Sequence, residues 1–361
     1  MTERPSRRTM IRATALGAAG AVAAPAIRPA QAQGRVNWRC ASFISQNTQL
    51  IGAWAHRVTE DVAATTDNSF RIRWNEPGTL VPTAEFLEAV GRGAIDCAFI
   101  SPGFFAGRFS VAPLFSSIPF GPDAVGQYAW MTQGGGTELF NKYLAEFNVV
   151  GVVSGMIGAQ GLGWFRRPIN SVEDLRGLRM RVFGYAGAVL QKLGVSPQLL
   201  PPGEIYQALE LGTIDATEFS TPLNDEEAGF WRIAKHYYFP SWHEPFSLAC
   251  FIVNRDRWNA LTEPQRKLFT RLNHASSIEQ VAMSNSVQGP VLQRFRDRGV
   301  TVATMPEDVT RAAHRAWQEV VAENIARDPK FKETWESLQA FLARYNAFAD
   351  LAYSYQKINF G

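Results

Sequence analysis

Four polar residues stand in surroundings that ordinarily exclude them. Glu218 lies between Thr217 and Phe219. Glu244 follows Tyr237-Tyr238-Phe239-Pro240-Ser241-Trp242-His243, the densest aromatic cluster in the chain. Gln160 sits in Gly155-Met156-Ile157-Gly158-Ala159-Gln160-Gly161-Leu162-Gly163-Trp164-Phe165, where small residues let the backbone approach something closely. Arg181 belongs to Leu178-Arg179-Met180-Arg181-Val182-Phe183, whose alternation puts Arg179 and Arg181 on one strand face. A buried carboxylate needs a cation or several donors. A guanidinium offers a fork to a planar carboxylate, and oxygen ligands suit Na⁺, Ca²⁺ or Mg²⁺. The inventory fits a small carboxylate held beside a metal ion; it fits an internal Arg–Glu salt bridge equally well.

Other chemistry lacks its residues. No Gly-x-Ser-x-Gly, His-Glu-x-x-His or Gly-x-x-x-x-Gly-Lys-[Ser/Thr] occurs. The triplet Gly134-Gly135-Gly136 offers amides to an anion, but it reads better as a tight helix-start turn. His56, His274 and His314 read as surface residues; His243 is the one acid–base candidate, and its flanking aromatics favour a structural role. The three cysteines, Cys40, Cys97 and Cys250, sit in apolar runs and read as buried small hydrophobes, with a Cys40–Cys97 bridge conceivable between neighbouring strands.

The positioning elements alternate. Strand patterns at 37–42, 70–74 and 97–100 are separated by helical patterns at 50–65 and 84–90, which predicts a mostly parallel α/β sheet. The stretch 83–101 then recurs at 202–220, with six of 19 positions identical: Glu85/Glu204, Ala89/Ala208, Gly93/Gly212, Ile95/Ile214, Asp96/Asp215 and Ser101/Ser220. This predicts two similar lobes, with the strand ends at Ser101 and Phe219 facing a shared cleft. Residues 33–150 with about 245–300 are assigned to the first lobe, and 151–244 to the second. The second lobe takes strands at 149–153, 163–165 and 179–182. Residues 301–361 are assigned to a helical segment that packs on the lobes or on a second copy. Ser171 and Thr262 read as helix caps.

Residues 1–32 read as an export signal. Paired Arg7-Arg8 precede the apolar stretch 13–27, and Ala30-Gln31-Ala32 supplies the small residues of a cleavage site. Twin arginines in this setting predict the twin-arginine route to the periplasm. That segment holds five arginines and one glutamate. Of 36 Lys+Arg and 33 Asp+Glu, the remainder keeps 31 and 32, a net charge of −1. The basic character belongs to the signal, which removes the argument for nucleic acid or anionic lipid.

The polar residues singled out above also carry a family resemblance. The chain resembles the substrate-binding subunits of tripartite ATP-independent periplasmic (TRAP) transporters, and within them the branch binding 2-oxo acids such as pyruvate. The blocks are Ile118-Pro119-Phe120-Gly121-Pro122, Gly134-Gly135-Gly136, Gly158 to Phe165, Asp174 to Arg181, Ile214 to Phe219 and Trp242-His243-Glu244-Pro245. The resemblance implies two α/β lobes closing over one ligand, and membrane permease subunits as partners. It implies that Arg181 clamps the ligand carboxylate. It also implies a bridging cation, Na⁺ with Ca²⁺ as alternative, on Gln160, Glu218, the Phe219 carbonyl and Glu244. Phe219 stands where that branch is expected to carry Trp, and Phe104-Phe105 where tyrosines are expected, so polar contacts to the ligand tail are lost. A small monocarboxylate, a 2-oxo acid or alternatively a 2-hydroxy acid with Ca²⁺, is the expected ligand. The rival reading is a metal-assisted enzyme on 2-oxo acids using His243. A homodimer through the C-terminal helix is a further expectation. Arg181→Ala is expected to abolish binding while leaving the fold intact.

Overall fold

A computed structural model describes residues 34–352; the expected export signal lies outside the described residues. Among the described residues eleven strands occur: β1 Val36–Ser42, β2 Phe70–Asn75, β3 Cys97–Ile100, β4 Val149–Ile157, β5 Gly163–Phe165, β6 Arg179–Arg181, β7 Ser196–Gln198, β8 Ala216–Thr217, β9 His236–Tyr238, β10 Ser247–Asn254 and β11 Thr301–Ala303. Between and after them run α1 Gly52–Thr65, α2 Phe86–Gly91, α3 Ala124–Gln133, α4 Gly136–Leu144, α5 Ala186–Lys192, α6 Pro202–Glu210, α7 Pro222–Ala228, α8 Arg255–Ala260, α9 Glu263–Asp297, α10 Glu307–Arg327 and α11 Pro329–Ala352. None of the described helices is long and apolar enough to cross a membrane.

The strands form two sheets of matching plan, β2-β1-β3-β10-β4 and β7-β6-β8-β5-β9-β11. In each, the first three strands are parallel and the next two pairings are antiparallel, so that only the fourth strand of these five runs the other way. The repeated sequence accounts for the match. Gly93 and Gly212 take φ of +74° and +70°, the left-handed conformation that ends α2 and α6. Asp96 and Asp215 then accept the backbone N–H of Arg39 (2.8 Å) and Arg179 (3.0 Å), locking β3 onto β1 and β8 onto β6. Arg39 and Arg179 each return a guanidinium N–H to a carbonyl of the preceding turn, Ala94 and Gly212. Arg179 is thus spent on Asp215, while Arg181 alone turns inward.

Two features differ from the sequence expectation. The strand starting at Val149 was expected in the second lobe. It pairs antiparallel along β10, from Val149 opposite Asn254 to Ile157 opposite Ser247, and so belongs to the first sheet. Its apolar run would be buried equally well in either sheet, and only this long-range pairing decides. Within the expected helical tail, Thr301–Ala303 forms an edge strand on β9. The chain therefore passes between sheets once through α9 and twice by short crossings, at 158–162 and at 239–246. The two short crossings are bonded to each other: Gln160 N–H donates to the Glu244 carbonyl at 3.2 Å, and Ser241 N–H to the Gln160 carbonyl at 2.9 Å.

Helix α9 opens on a capping box between Thr262 and Gln265, and Ser171 caps a short 3-10 turn in the same way. One polar stripe of α9 meets backbone N–H groups that strand pairing leaves over. Ser277 accepts from Gly155, Gln280 from Met156, Ser284 from Gly158 and Gln288 from Leu223. The glycine triplet is the turn between α3 and α4. Gly135 has φ +90°, and Cβ atoms on Gly134 or Gly136 would strike Trp130, Phe341 or Met131. Cys40 and Cys97 are register partners on β1 and β3, yet all three cysteines are free thiols and buried.

Candidate functional site

Phe104, Gln160, Arg181, Phe219 and Glu244 line one small cavity of about 50 Å³. Its remaining wall is largely apolar, with Phe43, Ile44, Ile51, Met156 and Phe183. Glu218, the sixth expected residue, is not part of the wall; it is fully buried and joined to Arg181. Each residue is placed by the topology. Arg181 ends β6, and Glu218 and Phe219 follow β8, the neighbouring strand. Gln160 and Glu244 lie one on each crossing between the sheets. Phe104 follows β3 of the first sheet.

Arg181 is 2% exposed. Its Nη1 donates to Glu218 Oε1 at 2.6 Å and to the Glu218 carbonyl at 2.8 Å, and its Nε to the Leu200 carbonyl at 3.3 Å. Nη2 makes no hydrogen bond among the described residues. Both readings left open by the sequence thus meet in one residue: Arg181 is the internal counter-charge of Glu218 and keeps one donor toward the cavity.

Two oxygens beside it are orphaned. Gln160 Oε1 and Glu218 Oε2 are buried and have no hydrogen-bond partner among the described residues. Unpaired buried acceptors are costly and point to an absent donor or cation. Burial first, then the charge of Glu218, pushes the Glu244 carboxyl well above the usual carboxylate range, although nearby Ser117 and Arg181 oppose this. Among the described residues no three His, Cys, Asp or Glu side chains form a metal-holding group. A cation here would rest on two carboxylates, an amide oxygen and a backbone carbonyl, a set suited to Na⁺ or Ca²⁺ rather than to zinc.

His243 is 1% exposed, and both its ring nitrogens are engaged, Nδ1 with the Ser241 hydroxyl at 2.8 Å and Nε2 with the Leu162 carbonyl at 3.2 Å. Burial lowers its pKa and keeps it neutral. It braces the crossing and does not line the cavity. The glycines flanking Gln160 make room for protein: a Cβ on Gly158 would lie 2.2 Å from Asn285 Oδ1, and one on Gly161 2.2 Å from the Tyr237 hydroxyl. His56 and His274 are half-buried against Trp74 and Tyr128, so neither is the free surface residue expected.

Sequence reasoning passed over Phe183, whose ring meets Phe104 at 4.9 Å between centroids, with Gly103 so close that any Cβ there would enter the Phe183 ring. The signal was present, since Phe183 is two residues beyond Arg181. Asp225 was also passed over. It is fully buried, and its carboxylate accepts from Ser220 N–H at 3.0 Å and from the Trp164 indole N–H at 3.0 Å, which fixes the turn after Phe219.

Two matching sheets, bonded crossings and a small, largely apolar cavity with one inward guanidinium define a solute-binding protein. The chain belongs to the bacterial extracellular solute-binding protein family 7, whose model matches residues 41–328. It is 35% identical over 88% of its length to the monocarboxylate 2-oxoacid-binding periplasmic protein of Nostoc sp., covering 88% of that protein. Among solved structures it is similar to a TRAP solute-binding protein of Colwellia psychrerythraea with bound calcium and pyruvate. The TM-score is 0.84 at 31% identity, over 88% of this chain and 97% of that one. A counterpart from Pseudoalteromonas atlantica, with bound sodium and pyruvate, gives 0.84 at 30%, over 90% and 100%. One from Bordetella bronchiseptica, a dimer with calcium and picolinate, gives 0.85 at 33%, over 88% and 96%.

Proposed function

We propose that this protein is the periplasmic receptor of a TRAP transporter and captures a small 2-oxo monocarboxylate together with a cation. The observation that carries the reading is the pairing of a buried, inward guanidinium with two orphaned acceptor oxygens, Gln160 Oε1 and Glu218 Oε2. A cation satisfies those oxygens, and Arg181 Nη2 together with the cation takes the ligand carboxylate. Glu244 and the Phe219 carbonyl complete the cation's oxygen set. Sodium or calcium with pyruvate in two similar proteins supports this, with Na⁺ the favoured ion here and Ca²⁺ its alternative.

Size and polarity narrow the ligand. A water needs roughly 10–15 Å³ on the same measure, so a cavity of about 50 Å³ holds a handful of heavy atoms, not a sugar acid. The rings of Phe43, Phe104 and Phe183 in the same wall present no polar atom to a second carboxylate or hydroxyl. The favoured ligand is pyruvate or a homologue with a short apolar tail. The test is a thermal-shift and calorimetric screen of 2-oxo, 2-hydroxy and dicarboxylic acids, with Na⁺, with Ca²⁺ and with neither. Stabilisation by dicarboxylates alone would overturn the reading, and turnover of a 2-oxo acid would favour the enzyme instead.

Export by the twin-arginine route and a homodimer through the end of α11, where Phe348 is 67% exposed, belong to the same proposal. Replacing Arg7-Arg8 by lysines should retain the precursor in the cytoplasm, and light scattering of the purified chain should give twice the monomer mass.

A further inference from the structure

The loop after β1 reaches out of its own lobe. Leu50 has φ +61°, a backbone conformation that side chains rarely adopt. It is 2% exposed, and it is buried in a cluster with Trp164, Ile205, Leu209, Leu223 and Phe230, all of the second lobe. The peptide groups beside it are gripped from the same side. Gln49 N–H donates to Glu227 Oε2 at 3.2 Å, and the Gln49 carbonyl accepts from Asn224 Nδ2 at 2.5 Å. Asn224 and Glu227 are both on α7, and Asn224 Nδ2 also approaches Glu227 Oε2 at 3.4 Å.

Asn224 is connected to the site as well as to the loop. It is fully buried, and its Oδ1 accepts from the hydroxyls of Ser220 at 3.2 Å and Thr221 at 3.1 Å. Ser220 lines the cavity next to Phe219. Both faces of the Asn224 amide are therefore used, one on the turn that carries Glu218 and Phe219 and one on the opposite lobe. An aspartate could keep the first pair of bonds but not the donation to Gln49.

We propose that Asn224 and Glu227 form a closing latch, gripping the Gln49 peptide across the cleft and so setting how slowly a bound ligand leaves. They are positioning residues, since neither lines the cavity. The proposal rests on the receptor reading above. Closed lobes bar the exit, so loss of the latch accelerates release, whereas entry into the open form needs neither residue.

The test uses the full chain and stopped-flow tryptophan fluorescence with pyruvate in Na⁺ buffer, comparing wild type with Asn224→Asp, Glu227→Ala and Glu227→Gln. The latch predicts release at least about tenfold faster in Asn224→Asp and Glu227→Ala, with association within about twofold. Glu227→Gln, which keeps an acceptor oxygen, should stay near wild type. Unchanged release in both disrupting variants overturns the latch. So does a fall in the melting temperature of the ligand-free variants that accounts for the lost affinity. Absence of pyruvate binding by wild type would instead fail the receptor reading. The latch is then judged by X-ray scattering of the ligand-free chain, where a larger radius of gyration in the disrupting variants supports it and equal radii overturn it.

Discussion

Arg181 Nη1 lies 2.6 Å from Glu218 Oε1, while Glu218 Oε2, on the same carboxylate, has no hydrogen-bond partner among the described residues. One guanidinium thus half-satisfies one buried acid. The sequence expectation that Arg181→Ala would spare the fold is revised accordingly, because the variant leaves Glu218 buried without its counter-charge. It should lose roughly a hundredfold or more in ligand affinity and destabilise the chain by about 3–5 kcal/mol. Arg181→Lys should keep more of the stability and still fail to bind, since an ammonium lacks the fork. Calorimetry beside a urea titration separates the two effects, and near-normal affinity in either variant would make Arg181 purely structural.

If the orphaned oxygens hold a cation, ligand and cation strengthen each other by the same factor. Ligand affinity should fall in chelated buffer with Na⁺ replaced by a bulky organic cation, and recover on adding Na⁺ or Ca²⁺. Glu218→Gln should shift the cation dependence to higher concentration. Affinity indifferent to both treatments would remove the ion from the mechanism.

Gly161→Ala forces a Cβ within 2.2 Å of the hydroxyl of Tyr237, a fully buried ring. It should cost about 1–3 kcal/mol and weaken binding through the displaced Gln160. Gly203→Ala, at an exposed position of α6 with nothing within 4 Å of its Cβ, serves as the control and should stabilise by about 0.5–1 kcal/mol. Equal melting temperatures for wild type and Gly161→Ala would refute the packing argument.

Glu226 accepts a fork from Arg294 (2.8 and 2.5 Å) and a further bond from Arg298 (2.6 Å), tying α7 to α9. The hydrogen bond from Arg294, above all, holds its carboxyl below the usual value of 4.5. A depressed carboxylate binds its proton more weakly in the folded state. Its stabilisation is therefore complete above about pH 4.5 and lost as pH falls through the depressed value. Glu226→Gln should cost about 1 kcal/mol at pH 7, and less as the pH drops below 4.5. A wild-type–variant gap in melting temperature that does not narrow on acidification would contradict this.

The lobe repeat was readable because Asp96 and Asp215 do a local job, bonding the strand beside them just after a glycine-ended helix. Gln160 was readable from the glycines around it, although they admit Asn285 and Tyr237 rather than a ligand. The sheet that takes Val149–Ile157 was not readable, since its partner lies about a hundred residues later and both sheets bury apolar runs. Asn224 was equally opaque: a polar residue near a helix start looks like an ordinary cap until the opposite lobe is seen beside it.

The α9 stripe of Ser277, Gln280, Ser284 and Gln288 recurs at steps of three and four residues, so its hydrogen bonds fall along one line. That line holds the last residues of a first-sheet strand at one end and a second-sheet helix at the other. Sliding one lobe past the other would break either the three bonds to residues 155–158 or the one to Leu223, whereas swinging about the line preserves both sets. Mechanically the helix is a hinge pin some 52 Å long, taking 1.5 Å per residue over its 35 residues. A swing about that line is therefore the lobe motion that costs these four bonds least.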